Sequence, residues 1–157
     1  MGKFFAGLDE ELNLYVRHAA WLNTTPDKAE GDKSTTPEVS RSEYYKRDGD
    51  DALQMPPCDA YYLIPYFFEI GPTVAAGMGE GAIGHLEVQA WQGNTGIDLN
   101  AWEARSLRRL SLVYLSESYK AKKPDCPAPW QEADYIALSP TRKSQTTRDA
   151  IRALAAL

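Results

Sequence analysis

The segment from Asn100 to Pro124, NAWEARSLRRLSLVYLSESYKAKKP, constrains the fold more than any other part of the chain. Asn100 is a good N-cap and Glu103 stands three residues on, the spacing at which a cap and the third helical residue exchange hydrogen bonds. Lys120, Lys122 and Lys123 suit the negative end of a helix dipole, and Pro124 stops the helix. Between these signals Leu107, Leu110 and Tyr114 mark one apolar stripe, and Leu112, Leu115 and Tyr119 an adjacent one. A face that wide calls for two packing helices, so an all-α fold is expected.

Two other segments have the right pattern to be those helices. Residues 8–22 place Leu8, Leu12, Tyr15, Ala19 and Leu22 at helical intervals, opposite Glu10, Asn13 and Arg17. His18 lies beside the stripe with no second His, Cys or acid at ligand spacing, so no metal role is assigned to it. In residues 60–70, AYYLIPYFFEI, Tyr62, Tyr66 and Ile70 fall one turn apart, with Leu63 and Phe67 beside them. A run so apolar fits period 2 as well as 3.6. We read a helix from near Asp59 to just before Gly71, with Pro65 tolerated in its first turn. A short helix from His85 to Gln92, with Ile83, Leu86, Ala90 and Trp91 on its apolar face, completes the set.

The intervening composition divides the chain. Residues 24–55 are rich in Thr, Ser, Asp, Lys and Pro and read as a flexible linker, too polar to offset the entropy of ordering. Within it Ser40 and Glu43 can cap a short helix over 41–47. The acidic run Asp48, Asp50, Asp51 meets Met55-Pro56-Pro57 before an EF-hand loop can finish. The expected units are an amphipathic helix over 1–23, the linker, a helical core over 56–123 that folds alone, and a proline-rich tail over 124–157. That tail carries a short helix starting at Thr146 or Thr147. The core is expected to contain Tyr66, Phe67, Trp91, Trp102, Leu107, Leu110 and Tyr114.

Gly79, Gly81 and Gly84 spell the G-x-G-x-x-G of a dinucleotide loop. That loop works only between a strand and a helix, with a second parallel strand following. Here the flanking segments read as helices and a turn. We therefore expect a flexible surface loop in which Gly84 caps the next helix, and no cofactor. Glu69, Glu87 and Glu103 could in principle converge as paired carboxylates, and a capping acid, a helix-turn acid and a surface acid explain them more simply. Cys58 and Cys126 sit beside prolines and read as inert thiols rather than a disulfide.

A formal net charge of −5 argues against a general nucleic-acid binder, whose affinity comes from clustered Lys and Arg. No apolar run approaches the roughly 20 residues that span a bilayer. The opening MGKFFAGLDEEL lacks a signal-peptide core, so a cytoplasmic location is expected.

Several pieces occur in a telling order: Tyr66-Phe67-Phe68-Glu69, Glu87-Val88-Gln89-Ala90-Trp91, Thr95-Gly96-Ile97, Trp102-Glu103-Ala104-Arg105, Leu107-Arg108-Arg109-Leu110 and Tyr114-Leu115. From about Pro56 to Tyr119 the chain resembles a small module of the tail assembly chaperone region of long-tailed bacteriophages, encoded between the tail tube and tape-measure genes. It departs from that module at Pro72–Ala76 and at Ser111-Leu112. The resemblance implies a non-enzymatic assembly chaperone or adaptor that binds tape-measure or tail tube protein. On that reading the expected partner surface joins Leu12, Tyr15 and Leu22 of the first helix to Trp130, Tyr135 and Ile136 of the tail. The alternative is a helix-turn-helix regulator, with Arg105, Arg108 and Arg109 on the second helix of AWQGNTGIDLNAWEARSLRRL.

Overall fold

Two long helices set the frame. The computed structural model describes residues 2–33, 38–48 and 53–131. In it α1 runs over Gly2–Asn23 and α5 over Ala101–Ala121. They form the most extensive pairing among the described elements. Asp9 meets Trp102 and Arg109, Arg17 meets Glu117, and Trp21 meets Cys126. Contacts therefore advance in the same direction along both helices, which lie parallel. Short loops join antiparallel neighbours, so a parallel pair needs a long return path. Residues 24–100 provide it.

Along that path come α2 (Arg41–Asp48), α3 (Leu63–Ile70), a ribbon of β1 (Val74–Ala76) and β2 (Gly79–Gly81), and α4 (His85–Thr95). The local signals act where the sequence places them. Asn100 Oδ1 accepts from the amides of Trp102 and Glu103, and Glu103 Oε2 accepts from the Asn100 amide at 2.8 Å. Ser40 and Glu43 make the equivalent exchange at the start of α2. Gly71, at φ +102°, ends α3 in a conformation that favours glycine.

The main core joins Leu12 and Val16 of α1, Ala60, Leu63, Ile64 and Phe67 in and before α3, and Leu107 and Leu110 of α5. A smaller cluster at the far end holds Trp21, Leu22 and Ala121, with Tyr45, Leu53 and Met55 against it. This corrects the expectation of a self-contained core over 56–123. The stripe of α1 fills the same interior as α3 and α5. An apolar helix face gains most by burial, and closing even a long loop adds entropy cost only logarithmically.

The linker expectation changes with it. The Asp27 amide donates to Lys122 O at 2.8 Å and the Arg41 amide to Thr24 O at 3.3 Å. Arg41 is only 6% exposed. Its guanidinium lies 4.9 Å from the Trp21 ring and donates to Trp21 O and Lys123 O, at the C-terminal ends of α1 and α5. These carbonyls carry the partial negative charge of helix ends, which suits a cation. Burial lowers the Arg41 pKa from its ordinary value, with nearby Cys126 and Tyr45 opposing.

The glycine-rich stretch forms an ordered antiparallel ribbon, so the fold is predominantly helical rather than strictly all-α. Val74 pairs with Gly81, Ala75 with Glu80 and Ala76 with Gly79. The Gly77-Met78 turn has Gly77 at φ +59°, and no described non-glycine residue has positive φ, which makes it a type II′ hairpin turn. Buried Ser111 pins both feet of the ribbon to α5. Its hydroxyl donates to Pro72 O at 2.6 Å and accepts from the Ile83 amide at 3.0 Å.

Two expected apolar faces are also reassigned. On α4 Val88 and Trp91 are buried, while Leu86 and Ala90 are exposed. On α5 the second stripe opens outward at Leu112 and Tyr119. The ribbon, α1 and α3 already occupy the other side of α5; Leu112 stays open, and Tyr119 meets the Lys122 ammonium, 5.7 Å from its ring centre.

Candidate functional site

Arg105, Arg109, Leu112 and Ser116 succeed one another along α5 at intervals of three and four, which puts them on one helix face, and Arg108 stands one turn from both Arg105 and Leu112 along its edge. The face is held in place from behind by Leu107 and Leu110, neither of which reaches solvent. The strand exit at Ala82–Gly84 forms a wall beside it. Between wall and helix lies a cleft of about 390 Å³, lined by Ile83, Gly84, the three arginines and Leu112. A second hollow of about 280 Å³ shares Arg109 and Leu112 and runs on past Val113 and Glu117 to Arg17 and Lys120. The two hollows adjoin at Arg109 and Leu112 and together make up the α5 groove.

The cations in this groove are in different states. Arg109 Nη2 donates to Asp9 Oδ1 at 2.6 Å and to Ser106 Oγ at 3.2 Å. Asp9 also accepts from Trp102 Nε1 at 3.1 Å. Arg17 Nε donates to the buried Glu117 carboxylate at 2.8 Å. Arg108 Nη1 lies 2.7 Å from His85 Nε2. A guanidinium only donates, so the His85 Nε2 accepts and the ring proton is assigned to Nδ1. Exposed Arg105 makes no hydrogen bond or ion pair among the described residues.

The residues expected to bind a partner lie elsewhere. Leu12 is completely enclosed in the main core, and Leu22 in the smaller cluster. Trp130 is buried edge-on against His18, with ring centres 5.8 Å apart. Tyr15 is half-buried, with Tyr61 edge-on to it at 5.7 Å. Leu12, Leu22 and Trp130 are interior residues and Tyr15 lies at the edge of the core, because the stripe that reads as a docking face in an isolated helix is largely covered by the chain itself. Tyr135, Ile136, Leu138 and the short terminal helix lie outside the described residues.

Of the expected core, Phe67, Leu107, Leu110 and Trp91 are buried. Tyr66, Trp102 and Tyr114 are half-buried and pack against the cluster from its edge. Trp102 meets Phe5 at 5.2 Å and Tyr66 meets Trp91 at 5.0 Å.

The three glutamates weighed as acids have structural or solvent roles. Glu87 accepts from the Gly84 amide at 2.6 Å. Glu103 caps α5 and accepts from the Tyr62 hydroxyl at 2.8 Å. Glu69 is exposed. Desolvation, the hydrogen bond to Glu103 and its negative charge together push Tyr62 up to about 12. Both cysteines are free thiols, and burial pushes the Cys58 thiol up, away from the reactive thiolate. Among the described residues no three His, Cys, Asp or Glu side chains are placed to hold a metal, and no helix is long and apolar enough to cross a membrane.

The groove had a legible signal in the i, i+3, i+4 arginines. What pattern-reading missed is Ser111, whose small polar side chain anchors the wall. Around α3, Tyr61, Tyr62 and Phe68 remain 52%, 47% and 37% exposed. Comparison with protein-family models, curated proteins and solved structures finds no match for this chain.

Proposed function

We propose that the protein is a non-enzymatic adaptor that binds another protein, and, following the resemblance of residues 56–119, that the partner is a phage tail protein. Tape-measure or tail tube protein would be met in the host cytoplasm during tail assembly. The observation that carries the adaptor reading is the aromatic surface around α3. Helix α3 already buries Leu63, Ile64 and Phe67, yet three further large rings at or beside it face solvent. Aromatic side chains contribute large contact area at small entropy cost, which is why protein interfaces are enriched in them.

The test is capture of purified tape-measure and tail tube proteins by the full chain. Tyr62→Ser with Phe68→Ser is expected to abolish capture while the helical circular dichroism is kept, with a melting temperature lowered by loss of the Tyr62–Glu103 hydrogen bond and the Phe68 ring contacts. Equal capture by the double variant removes the α3 surface from the reading. The nucleic-acid alternative has one observation in its favour, the open arginine face of α5. Against it, the first turn of α5 is sheltered by Phe5 and Asp9 at Trp102, where a recognition helix would enter a groove. A shift of duplex DNA at physiological salt, with no capture of tail proteins, would establish that alternative instead.

A further inference from the structure

We infer that the groove along α5 is a docking site for an acidic segment of a partner protein, one in which Asp or Glu side chains flank a large apolar residue. The inference deepens the adaptor reading and rests on it.

Charge complementarity selects this occupant. The chain as a whole is acidic, at −5. The groove has the opposite balance: Arg17, Arg105, Arg108, Arg109 and Lys120 against the carboxylates of Asp9 and Glu117. Each guanidinium carries five N–H donors in a planar fork that matches a carboxylate. Arg105 commits none of them, and Arg108 commits one side, to His85. Glu117, Asp9 and His85 hold Arg17, Arg109 and Arg108 in position, so an incoming carboxylate that engages Arg105 meets guanidinium groups already placed beside it.

The apolar element is equally specific. Leu112 lines both hollows and is 61% exposed. It lies one turn beyond Arg108 on the same face, with the half-buried Val113 beside it and Ile83 in the wall. A phosphate backbone has nothing to place on a leucine at the centre of the site. A peptide side chain does, and burying it adds a term that salt does not screen. A polyanion would also meet the long-range repulsion of an acidic protein, which a short acidic segment feels far less.

The experiment uses the full chain and two short fluorescein-labelled peptides, one alternating glutamate pairs with leucines and one with lysine in place of every glutamate, read by fluorescence anisotropy. Saturable binding of the glutamate–leucine peptide alone is expected. Arg105→Glu and Leu112→Asp, both solvent-facing changes, should each weaken it by at least about tenfold, with the melting temperature unchanged. Tyr62→Ser with Phe68→Ser should leave it intact. Absence of binding by the parent, equal binding of the lysine peptide, or indifference to both groove variants overturns the assignment. So does duplex DNA that competes the peptide out at physiological salt. If the assignment fails while the full chain still captures tail proteins through the α3 surface, the adaptor reading stands and only the groove's role falls. Loss of that capture as well would remove both.

Discussion

Glu103 illustrates how much one side chain can carry. One carboxylate oxygen closes the cap of α5 on Asn100, and the other accepts from Tyr62, tying the approach to α3 onto the start of α5. Burial first, and then this bond and the Glu103 charge, keep Tyr62 protonated to about 12, above its ordinary 10.0. An unfolded tyrosine ionises first, so this contribution is intact below pH 10 and disappears as pH rises toward 12. Tyr62→Phe should make the fall in stability across that window shallower, as read by thermal melts at stepped alkaline pH. Tyr15, raised to about 12 chiefly by burial and then by Tyr61, keeps the residual slope. The glycines also separate by role. A Cβ on Gly81 would lie 2.9 Å from the Ala76 Cβ, whereas one on Gly79 meets nothing within 4 Å. Gly81→Ala should cost about 1 kcal/mol through ribbon distortion. Gly79→Ala should be near neutral, and the comparison of urea midpoints checks both.

Among the elements, α2 is the one whose role pattern-reading understated. It is short and polar, and alone it would be marginal. Its value lies in Arg41, which joins the ends of the two long helices, and in Tyr45, stacked at 5.9 Å on Trp21. Arg41→Met keeps much of the side-chain volume but leaves two carbonyls short of a donor. Lost charged hydrogen bonds, offset by relief of a buried charge, predict a destabilisation of about 2 kcal/mol. A lower urea midpoint at unchanged slope would show it. The ribbon is comparably dependent on a single residue. Two strands of three residues are not stable alone, and Ser111 gives both feet a fixed attachment on α5.

For the molecule as a whole, the parallel arrangement of α1 and α5 makes the N-terminal helix part of the core rather than an appendage. Residues 56–123 alone would expose the surfaces of Leu63, Phe67 and Leu107 that Leu12 and Val16 cover. That fragment should therefore lack a cooperative thermal transition by circular dichroism, and a melt as sharp as the full chain's would show α1 to be dispensable. Much of this architecture is legible in one dimension. Helix existence and ends follow from local signals: the Asn100 box, the Ser40 box, the stop at Gly71, and the stripes through Leu12 and Leu107. Such signals act within a turn of the chain, so the residues that make them are adjacent in sequence. Partnership is not local. Whether Leu12 and Trp130 face a partner or the protein's own interior, whether Leu112 is covered, and whether a glycine-rich stretch pairs into a ribbon all depend on residues tens of positions away. Arg105, Arg108 and Arg109 share a face by helical period alone, but they line a groove because Ser111 holds the Ile83 wall beside them. Periodicity specifies which side of a helix is apolar. The packing of α1 parallel to α5 settles which apolar sides meet each other, because burial rewards any complementary surface and the sequence pattern names none in particular.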